Sequence, residues 1–153
     1  MPDFVGNILT PLASAAFGAV IASYLALWRF RAQKWWEKKA EAYERVIDAL
    51  HHMKQYADTH LQADMRGREL SEEQEQDLLE VSRRSRAEVE RAIDVGSLLL
   101  CDKAVERLRL YKQDSRDRKD VQSWLDAVLA DLEATTTCLD DFLRIAKQDL
   151  KRR

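Results

Sequence analysis

Residues Phe4 to Trp28 form twenty-five consecutive positions without a charged side chain, and Arg29, Arg31, Lys34, Lys38 and Lys39 follow at once. At a rise of ~1.5 Å per residue this stretch reaches ~37 Å as a helix, enough to cross a ~30 Å hydrocarbon core with some tilt. A lone segment in lipid has to satisfy its own backbone amides and carbonyls, and a helix does so. The sequence therefore predicts one membrane span, with an anchor over residues 1–30 and a body over residues 31–153. A cleaved signal peptide is the rival reading. It needs a cationic start and a shorter apolar stretch before its cleavage site. Here the start is acidic at Asp3, and the cations come after the apolar stretch.

Charge sets the orientation. Ahead of the span stand only Asp3 and the terminal amine, whereas Arg29 to Lys39 holds five cations against the single anion Glu37. The positive-inside rule places the body in the cytoplasm and the short N-terminus outside, a single pass of the inner membrane. Trp28, Phe30, Trp35 and Trp36 lie among these cations as interface anchors do, and the partner they imply is the lipid bilayer, with anionic lipids facing the cations. The alternative for Trp35 and Trp36 is the first layer of a soluble core.

The body has room for one compact domain. Charged residues make up 34 % of the chain, and both prolines, Pro2 and Pro11, precede the body. A proline-free body rich in Ala, Leu, Glu, Arg and Asp predicts an all-α fold. No Gly or Pro occurs between Gly18 and Gly67, so the membrane helix is expected to continue into a body helix ending near Gln62, with Trp36, Ala40, Tyr43, Ile47, Leu50, Ala57 and Leu61 inward. Ser71 with Gln74 reads as a capping box opening a second helix, 72–95, whose thin stripe is Leu78, Ser82, Ser85, Val89 and Ala92. Gly96 to Cys101 is an apolar connector. Asp102 is expected to cap a third helix that ends near Lys112, followed by a polar loop over 113–119. The last helix, 120–150, carries the strongest seam, Val121, Leu125, Val128, Leu132, Thr135, Leu139, Phe142 and Ala146. Short connections then predict a four-helix up-down bundle, although the last seam also suits an intermolecular coiled coil.

Net charge is −2 and the body is near neutral, so nothing suggests a duplex-DNA surface and no duplex DNA is expected as a partner. Cys101 and Cys138 lack metal-type spacing and read as buried free thiols, and no metal or cofactor is expected. Within the span, Ser14, Gly18, Ala22 and Ala26 recur at four-residue steps, with Ala15, Ala19 and Ser23 beside them. Small side chains let helices approach closely in lipid, so this face is the expected site of homo-oligomerisation, a plain anchor being the alternative. Asn7, Thr10 and Pro11 belong to the outer interface or to a water-filled path. The Arg83–Arg86 cluster reads as a solvated face or as inter-subunit salt bridges, and His60 as a boundary residue.

Arg45 precedes His51 and His52, which gives R-x5-H and R-x6-H. This spacing resembles the R-x4-6-H pattern of HEPN ribonucleases, also small helical bundles, and the resemblance implies that Arg45 with His51 or His52 would meet a partner's pair in a dimer cleft and cut RNA. With sixteen arginines and three histidines, about one such match arises by chance, and a solvated polar face is the alternative. No phosphate loop, H-E-x-x-H or serine triad accompanies it, so no catalytic residues are assigned and a non-enzymatic role is expected.

The layout also resembles small single-span bacterial membrane proteins of antiphage defence. The resemblance rests on the W-E-K-K-x-E-A-Y-like run at Trp36 to Tyr43, the apolar connector Gly96 to Leu100, and D-x-A-V-x-x-L at Asp102 to Leu108. Among such proteins it is similar in architecture to the pore-forming membrane accessory of type VI-B CRISPR systems, with a divergent HEPN-like bundle. That resemblance implies a homo-oligomeric pore or membrane-depolarising effector in antiviral defence, with a protein or RNA partner from the defence system. The readings beside it are a membrane-tethered ribonuclease and a non-catalytic membrane scaffold.

Overall fold

The computed structural model describes residues 3–117 and 123–151, with side chains over 21–116 and 123–151. Every regular element among them is helical: α1 (Asp3–Met65), α2 (Glu72–Val95), a 3-10 turn (Gly96–Leu98), α3 (Asp102–Asp117) and α4 (Trp124–Lys151). The chain divides into two compact units, Met1–Lys38 and Lys39–Arg153, where the sequence placed its boundary at 30. Among the described residues no helix is long and apolar enough to cross a membrane. The structure thus does not by itself supply the expected transmembrane helix. Most of the uncharged segment, 4–20, lies outside the residues whose side chains are described.

The second unit is a helical bundle with one core. Tyr43, Val46 and Leu50 from α1, Val89 and Ile93 from α2, Val105 and Leu108 from α3, and Cys138 and Phe142 from α4 pack into a single cluster. Tyr43, Leu50, Leu108 and Phe142 are each 0–1 % exposed, and burying side chains of this size contributes ~1.5–3 kcal/mol apiece. Cross-helix pairs give the directions. Tyr43 meets Asp149 while His60 meets Trp124, so α1 and α4 are antiparallel. Arg107 pairs with Asp141 and Tyr111 with Thr135, which makes α3 and α4 antiparallel as well.

Local chemistry explains the boundaries. α1 stops where Gly67 takes φ 58°, a left-handed conformation that costs glycine little. Ser71 Oγ then accepts from the Gln74 amide at 3.3 Å, and Gln74 Oε1 accepts from the Ser71 amide at 3.2 Å, the expected capping box. Gly96 closes α2, and a Cβ there would sit 2.9 Å from Leu100 Cδ1, so a larger residue would require the Leu100 side chain to move.

Several expectations need correction. α1 continues to Met65 rather than Gln62, and α3 runs to Asp117 rather than ending near Lys112, so residues 113–117 are helix and not loop. Nothing in that polar run breaks a helix, and the exposed polar side chains of Gln113 to Arg116 suit its solvent face. Asp102 is the first helical residue of α3 rather than its cap; the Cys101 carbonyl accepts from the Val105 amide at 3.2 Å and so opens the helix. α4 begins at Trp124, one turn later than expected, and Val121 lies outside the described residues.

Candidate functional site

The segment Ile21–Lys38 presents large apolar side chains to the outside. Tyr24, Leu27, Trp28, Phe30 and Trp35 are all more than half exposed, and Ile21 and Trp36 are partly so. A folded chain does not ordinarily leave such a contiguous series uncovered, and patches of this kind mark binding surfaces. Arg29, Arg31, Lys34 and Lys38 are exposed among them. Lys34 lies 5.8 Å from the Phe30 ring centre and 2.8 Å from Glu37, a surface pair that holds its geometry only weakly.

Lys39 departs from the other residues expected at the interface. Its ammonium sits 2.8 Å from Asp149 Oδ2, both side chains being mostly buried. The same carboxylate accepts a 2.6 Å hydrogen bond from the Tyr43 hydroxyl, which in turn accepts the Cys101 amide at 3.1 Å. Burial, and then the Asp149 carboxylate beside it, pushes the Tyr43 hydroxyl far above its usual pKa, so Tyr43 stays a donor at any ordinary pH. One tyrosine therefore joins α1, the end of α4 and the connector before α3. Sequence reasoning saw Tyr43 only as a core residue, because its partners lie 106 and 58 residues away.

The small-residue face is described only in part. Ala22 and Ala26 are exposed, while Ser14 and Gly18 lie outside the residues whose side chains are described, as do Asn7, Thr10 and Pro11.

Arg45, His51 and His52 are exposed on α1. The Arg45 guanidinium lies 3.7 Å from Glu41 and 3.6 Å from Glu88, and the two imidazoles are 6.2 Å apart. This arrangement suits a charged outer face: the arginine faces carboxylates of its own bundle. His60 is not at the boundary but buried, stacked edge-on against Tyr56 at 4.5 Å and Trp124 at 5.7 Å, and its Nε2 lacks a hydrogen-bond partner among the described residues.

All four helices line a cavity of about 280 Å³, floored by Met53, Val89 and Tyr111 and rimmed by Arg86, Lys112 and Arg116. Lys112 is bound to Glu90 at 2.8 Å, which holds that carboxylate below its usual pKa, and Arg86 stands 3.4 Å from Asp131. The Arg83–Arg86 cluster thus divides by face: Arg86 reaches α4, Arg84 pairs with Glu80 one turn back, and Ser85 is buried. Both cysteines are free. Cys138 is buried, which pushes its thiol up to about 11, and Cys101 is half-buried. Among the described residues no group of three His, Cys, Asp or Glu side chains could hold a metal ion.

Comparison with known proteins brings no match, whether with family models, curated proteins or solved structures.

Proposed function

We propose that this chain is a single-pass protein of the inner membrane, its N-terminus outside and its bundle in the cytoplasm, which self-associates through its span and acts on the membrane rather than on a chemical substrate. The observation that carries this reading is the exposed apolar series from Ile21 to Trp35, continuous in sequence with the uncharged residues from Phe4. In water each such side chain forgoes ~1.5–3 kcal/mol of burial, and lipid supplies the missing apolar surroundings. Self-association draws support from Ser14, Gly18, Ala22 and Ala26, whose four-residue spacing keeps small side chains along one side of a helix.

The resulting activity is that of a pore-forming or depolarising effector. Its setting in antiviral defence rests on the resemblance in layout alone. Expression in a bacterial host should collapse the membrane potential, read by a voltage-sensitive dye. Gly18→Leu and Ala22→Leu should restore the potential at equal protein level. Full depolarisation by a strictly monomeric form would refute the assembly, and an unchanged potential at high expression would refute the activity. The ribonuclease reading, with Arg45, His51 and His52, draws less support because Glu41 and Glu88 stand against the arginine. A triple alanine variant at those positions should depolarise as the parent does.

A further inference from the structure

α1 is asymmetric in charge around its axis over Ile21–Lys38. Tyr24, Trp28, Arg31, Trp35 and Lys38 recur at steps of four and three residues, which keeps them on one side of a helix with 3.6 residues per turn. Lys34 flanks the same stripe. Three of the four cations between Arg29 and Lys38 thus fall within a sector of about 60°. The far side carries Ala22, Ala26, Gln33 and Glu37 with Arg29 as its single cation, and Gln33 donates to Glu37 at 3.0 Å.

We propose that the Tyr24–Lys38 stripe binds anionic phospholipid headgroups, holding α1 with this side toward lipid and leaving the Ala22–Glu37 side for a second copy of the chain. The inference rests on the membrane reading above and adds to it a lipid class and a face. Two observations choose lipid over another polyanion. The stripe alternates aromatic rings with cations, as an interface requires, and it emerges without a break from the uncharged segment. Reach is adequate. At ~1.5 Å per residue the Cα atoms of Arg31, Lys34 and Lys38 lie about 4.5, 9 and 15 Å beyond that of Trp28. Helical side chains tilt toward the N-terminus, here the membrane side, so each cation is directed back to the headgroups. Lys38, the most distant, then acts at about one Debye length of ~8 Å. The Lys34–Glu37 pair is exposed on both sides and opens readily to a phosphate.

The test uses the full chain reconstituted in vesicles, with tryptophan fluorescence quenched by brominated acyl chains. Brominated phosphatidylglycerol and brominated phosphatidylcholine are compared at equal mole fraction, which yields their relative association constants at the protein surface. A ratio of about fivefold or more in favour of phosphatidylglycerol is expected, since one cation near the surface is worth about that factor. The ratio should fall toward one in Arg31→Gln/Lys34→Gln/Lys38→Gln. It should stay within twofold of the parent in Lys54→Gln/Lys103→Gln/Arg109→Gln, which removes equal charge from the bundle. A parent ratio near one in protein that floats with the vesicles overturns the headgroup site and leaves the membrane reading standing. An equal fall in both triple variants makes the effect one of net charge and overturns the face. Protein that floats with neither vesicle overturns both.

Discussion

Tyr43→Phe isolates the hydroxyl that joins three elements of the bundle. The ring would keep its place 5.6 Å from Phe142, so the apolar packing is conserved. Two hydrogen bonds are lost, the 2.6 Å bond to Asp149 and the 3.1 Å bond from the Cys101 amide. A hydrogen bond to a charged acceptor contributes ~1.5–3 kcal/mol, and the low end applies because Lys39 still neutralises Asp149. The half-buried Cys101 amide left unpaired adds ~1 kcal/mol. The expected loss is ~2–2.5 kcal/mol. A body of this size has an unfolding entropy of ~0.24 kcal/mol/K, so the midpoint should drop by ~8–10 °C.

The measurement is thermal unfolding of the full chain in mild detergent, followed by circular dichroism. The sign of the pH dependence is fixed. Tyr43 holds its proton in the folded state well above its usual value near 10, so its contribution is complete below that pH and is lost as pH rises beyond it. The parent should therefore lead Tyr43→Phe by a constant margin from pH 7 to 9, and the margin should shrink above pH 10. A drop under ~2 °C at pH 7.5, or a margin that widens in alkali, would show that the hydroxyl does not hold these elements together.

Three shorter predictions accompany it. Ser71→Ala removes the hydroxyl half of the capping box and should lower stability by ~1 kcal/mol in a urea titration; no change would mean that α2 does not depend on that cap. Leu108→Ala, at a position with no exposure, should cost ~2–5 kcal/mol by the same titration, and a loss below ~1 kcal/mol would displace Leu108 from the centre of the core. Raising the Cys138 thiol from 9.0 to about 11 cuts its thiolate fraction at pH 8 by about a hundredfold, so iodoacetamide should label Cys138 at least that much more slowly in the native chain than in denaturant, and equal rates would refute its burial.

Signals that act within a few residues read out well. The start and end of α2 follow from Ser71, Gln74 and Gly96, each of which bonds within four residues of itself, and the observed helix has the expected bounds. Signals of polarity misled. The run Gln113–Arg116 is polar enough for a loop, but it faces solvent near the end of a helix, and polarity alone does not separate those cases. The face of α1 was traced too narrowly. Tyr43, Leu50 and Ala57 are buried as expected, while Ile47 and Leu61 are only half-buried and Val46, Ala49 and Met53 are core. A single line at three- and four-residue steps suits a helix touched on one side. α1 is touched on two, by α2 through Arg45–Glu88 and by α4 through Tyr43–Asp149, so its buried sector is wider.

The polar residues of the core show what a one-dimensional pattern leaves out. Ser82, Ser85 and Thr135 are 1–6 % exposed, and Thr135 meets the Tyr111 hydroxyl at 2.8 Å between α3 and α4. The sequence marks these positions by spacing but gives no sign that Tyr111 and Thr135 complete one another across 24 residues. The candidate functional residues divide in the same way. The aromatic and cationic stripe of α1 is legible because its members lie within one helix and helical geometry alone brings them to one side. The Lys39–Asp149–Tyr43 cluster is not, since a lysine at the end of a cationic run looks like its neighbours until the fold brings a carboxylate from the far end of the chain to meet it. Lys39 is thus where the charge run stops serving an outer surface and begins to serve the bundle, and the division of the chain between Lys38 and Lys39 falls at that change of role.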